Sequence, residues 1–163
     1  MVPKFLLPIL LFVFAIGVHA QDPIKWRLDA STSTVQRSEK GQKIEVSLIA
    51  AIDDGWHLYA LDQPSGGPVA TTIKATDASP WMIDGKIASP KPIVRPDPNF
   101  TVNDKPLETR SFTNEAAFKI PLSAGLDAAI EQISLDVRFQ ACNDSLCLPP
   151  RTMRVTTAGA ERV

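Results

Sequence analysis

The chain has few of the residues that usually mark a chemistry. Its 163 residues include 2 cysteines and 2 histidines, which leaves little from which to build a metal centre. Neither charge sign dominates: Lys+Arg 17 against Asp+Glu 18 gives a net charge of -1. That balance provides no basic excess for a nucleic-acid partner, and no run of five or six like charges marks a polyanion or tail site. Paired carboxylates for acid–base work, a nucleophile elbow and a phosphate-cradling glycine loop are all missing. After residue 20 no apolar run reaches the length needed to span a bilayer. No cofactor is expected.

Proline, by contrast, is plentiful: 14 in all, 12 of them after residue 20. Each removes a donor and disrupts a helix interior, so long helices have almost nowhere to form. An ordinary hydrophobic share of 44% and charged share of 21% argue for a globular chain. Its length suits one domain.

Residues 1–20 read as a signal peptide. Lys4 precedes an apolar stretch from Phe5 to Val18, and Val18-His19-Ala20 resembles a small-residue cleavage site. About fourteen residues make roughly 21 Å of helix, short of the roughly 30 Å hydrocarbon core. Residues 21–163 are then the mature domain, with its core at about 44–156. It is expected to be periplasmic or secreted, soluble once the leader is cleaved, and in an oxidising compartment where a cysteine pair persists as a disulfide.

The mature chain alternates with period two. Ile44, Val46, Leu48, Ala50 and Ile52 form one apolar face, and Asp53-Asp54-Gly55 supplies a turn before Trp56-His57-Leu58-Tyr59 resumes the pattern. Ile133, Leu135, Val137 and Phe139 make the cleanest half-buried strand. Weaker strand candidates are Ser33–Arg37, Thr71–Thr76, Ala116–Leu122 and Thr152–Thr156, and one helical turn is expected between Ser123 and Ile130, capped by Ser123. Short strands between Gly/Pro/Asp turns predict an all-β, antiparallel sandwich. Gln63–Pro68 reads as a plain connector. Ser89–Asn99, running on through Phe100 to Pro106, reads as a long proline-kinked loop, and loops of that length are usually functional or disordered.

The two cysteines follow the best strand, in Phe139-Gln140-Ala141-Cys142-Asn143-Asp144-Ser145-Leu146-Cys147-Leu148-Pro149-Pro150. Asn143-Asp144-Ser145 is turn chemistry, so the chain can reverse and bring both Cα atoms within disulfide range. Closing about six residues stabilises a fold by only roughly 2 kcal/mol, against nearly 5 for a hundred-residue loop. A bond at a hairpin tip is better placed for exchange than for stapling sheets, yet spacing alone leaves a redox pair and a passive clip equally open. The reduction potential separates them: below about -300 mV the bond is structural, above it labile or catalytic. A copper site adding His57 or Met153 to the sulfurs is a weaker third reading, because the spacing is poor for ligation. Asn99-Phe100-Thr101 also matches the glycosylation acceptor pattern, which arises often by chance.

The segment Cys142 to Pro150, after a strand ending Arg138-Phe139-Gln140, together with Asp54-Gly55-Trp56-His57-Leu58-Tyr59, resembles the N-terminal periplasmic domain of the thiol:disulfide interchange protein DsbD. The resemblance covers roughly Ile44 to Val155. It implies an immunoglobulin-like β-sandwich with a redox-active Cys142–Cys147 pair, Cys147 forming the mixed disulfide and Cys142 resolving it. It further implies a cap loop whose aromatic, Phe100, covers the disulfide, with Asp97 beside it and His57 and Tyr59 flanking the cysteines. The implied partners are thioredoxin-fold proteins as electron donor and acceptors, with a membrane thiol carrier in trans as a source, since the chain is expected to stand alone without the membrane and thioredoxin-like domains. It departs from the family pattern in having one residue fewer between the cysteines, and Pro98-Asn99 where an acidic residue precedes the cap aromatic. No Lys or Arg lies between the cysteines, and Asp144 disfavours a nearby thiolate. The competing expectation is a secreted binding or structural module, in which Phe100 is a recognition aromatic.

Overall fold

The structure, a computed structural model, describes residues 22–163; the expected signal peptide lies outside them. Thirteen strands follow one another along the described residues: β1 (Ile24–Asp29), β2 (Gln36–Ser38), β3 (Gly41–Ile52), β4 (His57–Tyr59), β5 (Thr72–Ala75), β6 (Met82–Ile83), β7 (Ile93–Val102), β8 (Lys105–Phe112), β9 (Glu115–Ala124), β10 (Ser134–Phe139), β11 (Ala141–Cys142), β12 (Arg151–Thr156) and β13 (Gly159–Arg162). The only helical piece among the described residues is a 3-10 turn at Ile130–Gln132. The chain is all-β, an antiparallel immunoglobulin-like sandwich.

Two sheets form the sandwich. One has the order β1-β3-β9-β6, with β2 paired to β3, and the other β13-β12-β10-β5. The alternation legible in the sequence supplies the layer between them. Val46, Leu48, Ala50, Phe118, Ile120, Leu135, Val137, Phe139 and Val155 are wholly buried. Trp26 of β1 sits edge-on to Phe139 at 5.3 Å and 6.2 Å from Phe118, joining the two sheets through aromatic contact.

A third, smaller sheet, β11-β4-β8-β7, carries the cysteines. Three of its strands continue strands of the sandwich. β3 turns through Asp53–Gly55, with Trp56 N–H bonded to Asp53 O at 3.0 Å and Gly55 at φ +78, and becomes β4. β8 passes through Thr113-Asn114 into β9, and β10 passes through Gln140 into β11. The sandwich core therefore positions the smaller sheet.

The structure alters three local expectations. The Ser89–Pro106 segment is not an open loop: residues 93–102 form β7, paired to β8 around a two-residue turn, Asn103-Asp104, at φ 51 and 60. Such a turn matches strand twist and favours Asn and Asp. Its prolines are tolerated because β7 is an edge strand. The expected helical turn after Ser123 is absent because β9 pairs to its end, Ala124 opposite Gln42, and the Gln42 side chain donates to Gly125 O and Ala128 O. In place of the Ser33–Arg37 candidate there is a short exposed strand, β2. β1, whose Ile24, Trp26 and Leu28 alternate with Lys25 and Arg27, adds a strand beyond those expected.

Candidate functional site

Cys142 and Cys147 are joined, with an S–S distance of 2.02 Å and Cα atoms 4.1 Å apart. Cys142 lies opposite His57 of β4 and is completely buried, whereas Cys147 is half-buried on the returning limb of the turn. The reversal is built by Asn143, whose Oδ1 accepts the N–H groups of Ser145 at 2.9 Å and Leu146 at 2.7 Å. This is an Asx turn, in which a side chain does what a backbone carbonyl does elsewhere. Leu148 N–H closes the base on Ala141 O at 2.9 Å. Gln140 accepts Val69 N–H at 2.9 Å, fixing the entry to the loop.

The neighbouring wall is polar and buried. Tyr59 donates its hydroxyl proton to Asp97 Oδ2 at 2.7 Å, and Thr109 Oγ1 donates to the same oxygen at 3.1 Å. With that proton committed, the Tyr59 oxygen can only accept from His57 Nε2, 3.1 Å away. His57 Nδ1 is then the lone-pair nitrogen, and Arg95 donates to it at 3.3 Å. The donor–acceptor chain thus runs Arg95, His57, Tyr59, Asp97, from an exposed cation to a buried anion.

Electrostatics follow from that chain. Burial, and then the Arg95 charge, push the His57 pKa below its ordinary value against the pull of Asp97 and Asp144, so the ring is neutral near pH 7. Burial raises the Tyr59 phenol far above its usual range, reinforced by the bond to Asp97. Burial also works to raise Asp97, but hydrogen bonds from Tyr59, Asn99 N–H and Thr109, together with His57, hold it below the usual carboxylate range.

Over this wall lies the β7–β8 hairpin. Its pairing is regular to Asp97↔Leu107 and resumes at Thr101↔Pro106, leaving Pro98, Asn99 and Phe100 without partners on β8. Asp97 Oδ1 accepts Asn99 N–H at 2.9 Å, a second Asx turn that shapes this bulge. Phe100 is half-buried and meets Tyr59 edge-on at 5.9 Å. Asn99 Nδ2 donates to Asn143 O at 2.9 Å, and Arg95 reaches Asp144 at 3.4 Å.

All six residues singled out in the sequence, Cys142, Cys147, Phe100, Asp97, His57 and Tyr59, are therefore brought together, Cys142 opposite His57 and Tyr59 joining His57, Asp97 and Phe100. Met153, weighed as a copper ligand, packs in the core on β12, opposite Val137. Both ring nitrogens of His57 already have partners. Among the described residues no cluster of three or more His, Cys, Asp or Glu side chains is arranged to hold a metal. Sequence reasoning missed Arg95, Asn99 and Thr109. The signal for Arg95 was its two-residue spacing from Asp97, visible only once the proline-rich segment is read as a strand.

Fold and site together define an immunoglobulin-like sandwich whose third sheet presents a short-loop disulfide beside the β7–β8 hairpin. The family model described as "Thiol:disulfide interchange protein DsbD, N-terminal" matches residues 27–159, and the chain belongs to that family. Thiol–disulfide interchange is its chemistry at the level of the family. Among solved structures, the Neisseria meningitidis DsbD N-terminal domain in the reduced form is 16% identical, with 85% of this chain and 88% of that one covered and a TM-score of 0.47. The N-terminal periplasmic domain of ScsB from Proteus mirabilis is 18% identical, with 78% of this chain and 45% of that one covered and a TM-score of 0.45. No curated protein matches.

Proposed function

We propose that the protein is an exported thiol–disulfide exchange protein, carrying electrons from a thioredoxin-fold donor to disulfide-bonded proteins of the periplasm through Cys142 and Cys147. A membrane thiol carrier acting in trans would keep the donor reduced. The observation that carries the reading is the asymmetry of the pair: Cys142 is buried and Cys147 half-buried at an exposed turn. A visiting sulfur needs a straight approach along the S–S axis, and of the two cysteines only Cys147 keeps exposed surface.

Loading begins when a donor thiolate attacks Cys147 Sγ, breaks the S–S bond and releases Cys142 as a thiolate that takes a proton. The donor's second thiolate then attacks its own sulfur in the mixed disulfide, leaving the donor oxidised and both cysteines reduced. In discharge, the Cys147 thiolate attacks an acceptor disulfide and expels one acceptor thiolate. The Cys142 thiolate then attacks Cys147 Sγ, frees the second acceptor thiol and closes the bond. Two electrons and two protons pass in each half-cycle. His57, Tyr59 and Asp97 wall the site on the Cys142 side, and Phe100 covers it until a partner moves the hairpin aside.

Single substitutions test the assignment. Cys142→Ala, which keeps the reachable thiol, is expected to accumulate a mixed disulfide with an oxidised thioredoxin-fold partner on a non-reducing gel, and Cys147→Ala is not. Failure of both variants to trap any partner would rule the shuttle out.

A further inference from the structure

Two contacts hold the cap to the redox turn, and both use groups that the turn leaves free. In an ordinary β-turn the first residue's carbonyl accepts the N–H three positions on. Here Leu146 N–H goes to the Asn143 side chain instead, at 2.7 Å, so Asn143 O is left over. Asn99 Nδ2, at the crest of the bulge, donates to that oxygen at 2.9 Å. The neighbouring residue, Asp144, is the acidic group that opposes a thiolate in the loop, and Arg95 of β7 pairs with it at 3.4 Å. Arg95 is itself steered by His57 Nδ1 at 3.3 Å. The bulge carrying Asn99 is shaped by Asp97, whose buried carboxylate binds Tyr59 and Asn99 N–H.

Resting on the redox reading above, we propose that Asn99 and Arg95 form a latch that keeps the Phe100 cap closed on the Cys142-to-Cys147 turn and sets how readily the disulfide is reached. They are positioning residues and do not touch the sulfurs' chemistry. Their placement explains why the latch is weak enough for a partner to undo. One contact is a single neutral hydrogen bond, and the other is an ion pair whose side chains are 44% and 79% exposed, where solvent screens most of the attraction. Both end on the turn between the cysteines. A partner that displaces the cap therefore frees Asn143 O and Asp144 along with the path to Cys147, and the cap can close again once it leaves.

The test is the rate at which dithiothreitol reduces the oxidised protein at fixed pH, its two thiols becoming a cyclic disulfide as Cys142 and Cys147 gain two electrons and two protons. Alkylation and mass counting follow the thiols released. Asn99→Ala and Arg95→Ala are each expected to accelerate reduction by about threefold to tenfold, the range of one modest polar contact. Arg95→Lys, which keeps the charge facing Asp144, should restore part of the protection. In a Phe100→Ala background, which removes the cover directly, the same changes should alter the rate by less than about twofold, while urea midpoints stay near that of the parent. A merely structural role would shift the midpoints and leave no such dependence on Phe100. Wild-type rates for both Asn99→Ala and Arg95→Ala would overturn the latch, as would acceleration that persists unchanged without Phe100. Either result leaves the shuttle intact, because the shuttle fails separately, if no variant exchanges with a reduced thioredoxin-fold protein.

Discussion

His57 is a histidine with no spare nitrogen. Tyr59 lies on its own strand, Arg95 and Asp97 face it from β7, and Asp144 faces it from the cysteine turn. Burial disfavours the charged ring, and protonation would also put a hydrogen on Nδ1, pointing at the Arg95 guanidinium, so the folded protein favours the neutral ring and the pKa is depressed. The sign of the linkage follows. Below the ordinary histidine pKa of about 6.5 the unfolded chain binds a proton that the folded one resists, so stability from this site is complete above that pH and falls away as pH drops toward the folded value. Urea unfolding at about pH 5 and about pH 7.5 should show the loss in the wild type, and His57→Gln should flatten that part of the profile. Asp97 has the same sign at lower pH, its contribution disappearing as its carboxylate is finally protonated. At this scale the sequence was informative about residue type and silent about partners: His57 and Tyr59 share a face by two-residue spacing, but that Asp97 closes the chain depends on a strand 38 positions away.

Among the elements, β10 and the β7–β8 hairpin have opposite characters. β10 alternates cleanly, is central in its sheet and ends in Phe139, which packs on Trp26 and leads through Gln140 to Cys142. Phe139→Ala should cost about 3–5 kcal/mol by leaving a cavity between the sheets. A denaturant titration checks this, and the same variant should loosen the path to β11. Strand β10 was legible because burial on one face enforces period two. The hairpin was not legible, because Pro90, Pro92, Pro96 and Pro98 read as loop when no neighbouring strand is in view. An edge strand needs ladder bonds on only one side, so β8 can hold β7 in spite of its prolines. The bulge at Pro98–Phe100 retains the loop-like character expected of that segment, and from it Asn99 reaches the cysteine turn while Phe100 meets Tyr59.

For the whole molecule, the disulfide contributes little to holding the fold. It closes a loop with a sequence separation of 5, worth roughly 2 kcal/mol by chain entropy, whereas the sandwich core runs from Ile24 to Val155. A Cys142→Ala/Cys147→Ala double variant should therefore remain folded, with near-wild-type far-UV circular dichroism and an unfolding free energy lower by about 2 kcal/mol. Collapse of the fold would instead assign the bond a structural role. Such independence would suit the proposed exchange role, in which the scaffold persists whichever way the bond stands.

What the amino-acid order determined by itself was the class of fold, the strands that face the core and the position of the cysteine turn. Those depend on local rules: alternation under one-sided burial, proline's missing donor and the turn preference of Asn-Asp-Ser. Which residues surround the sulfurs was decided only in three dimensions, where β4, β7 and β8 are brought beside β11 from distant parts of the chain. Arg95 meets Asp144 and Asn99 meets Asn143 across separations of 49 and 44 residues. Contacts at that range carry no period along the chain, so only the packing of the third sheet against the sandwich could specify them.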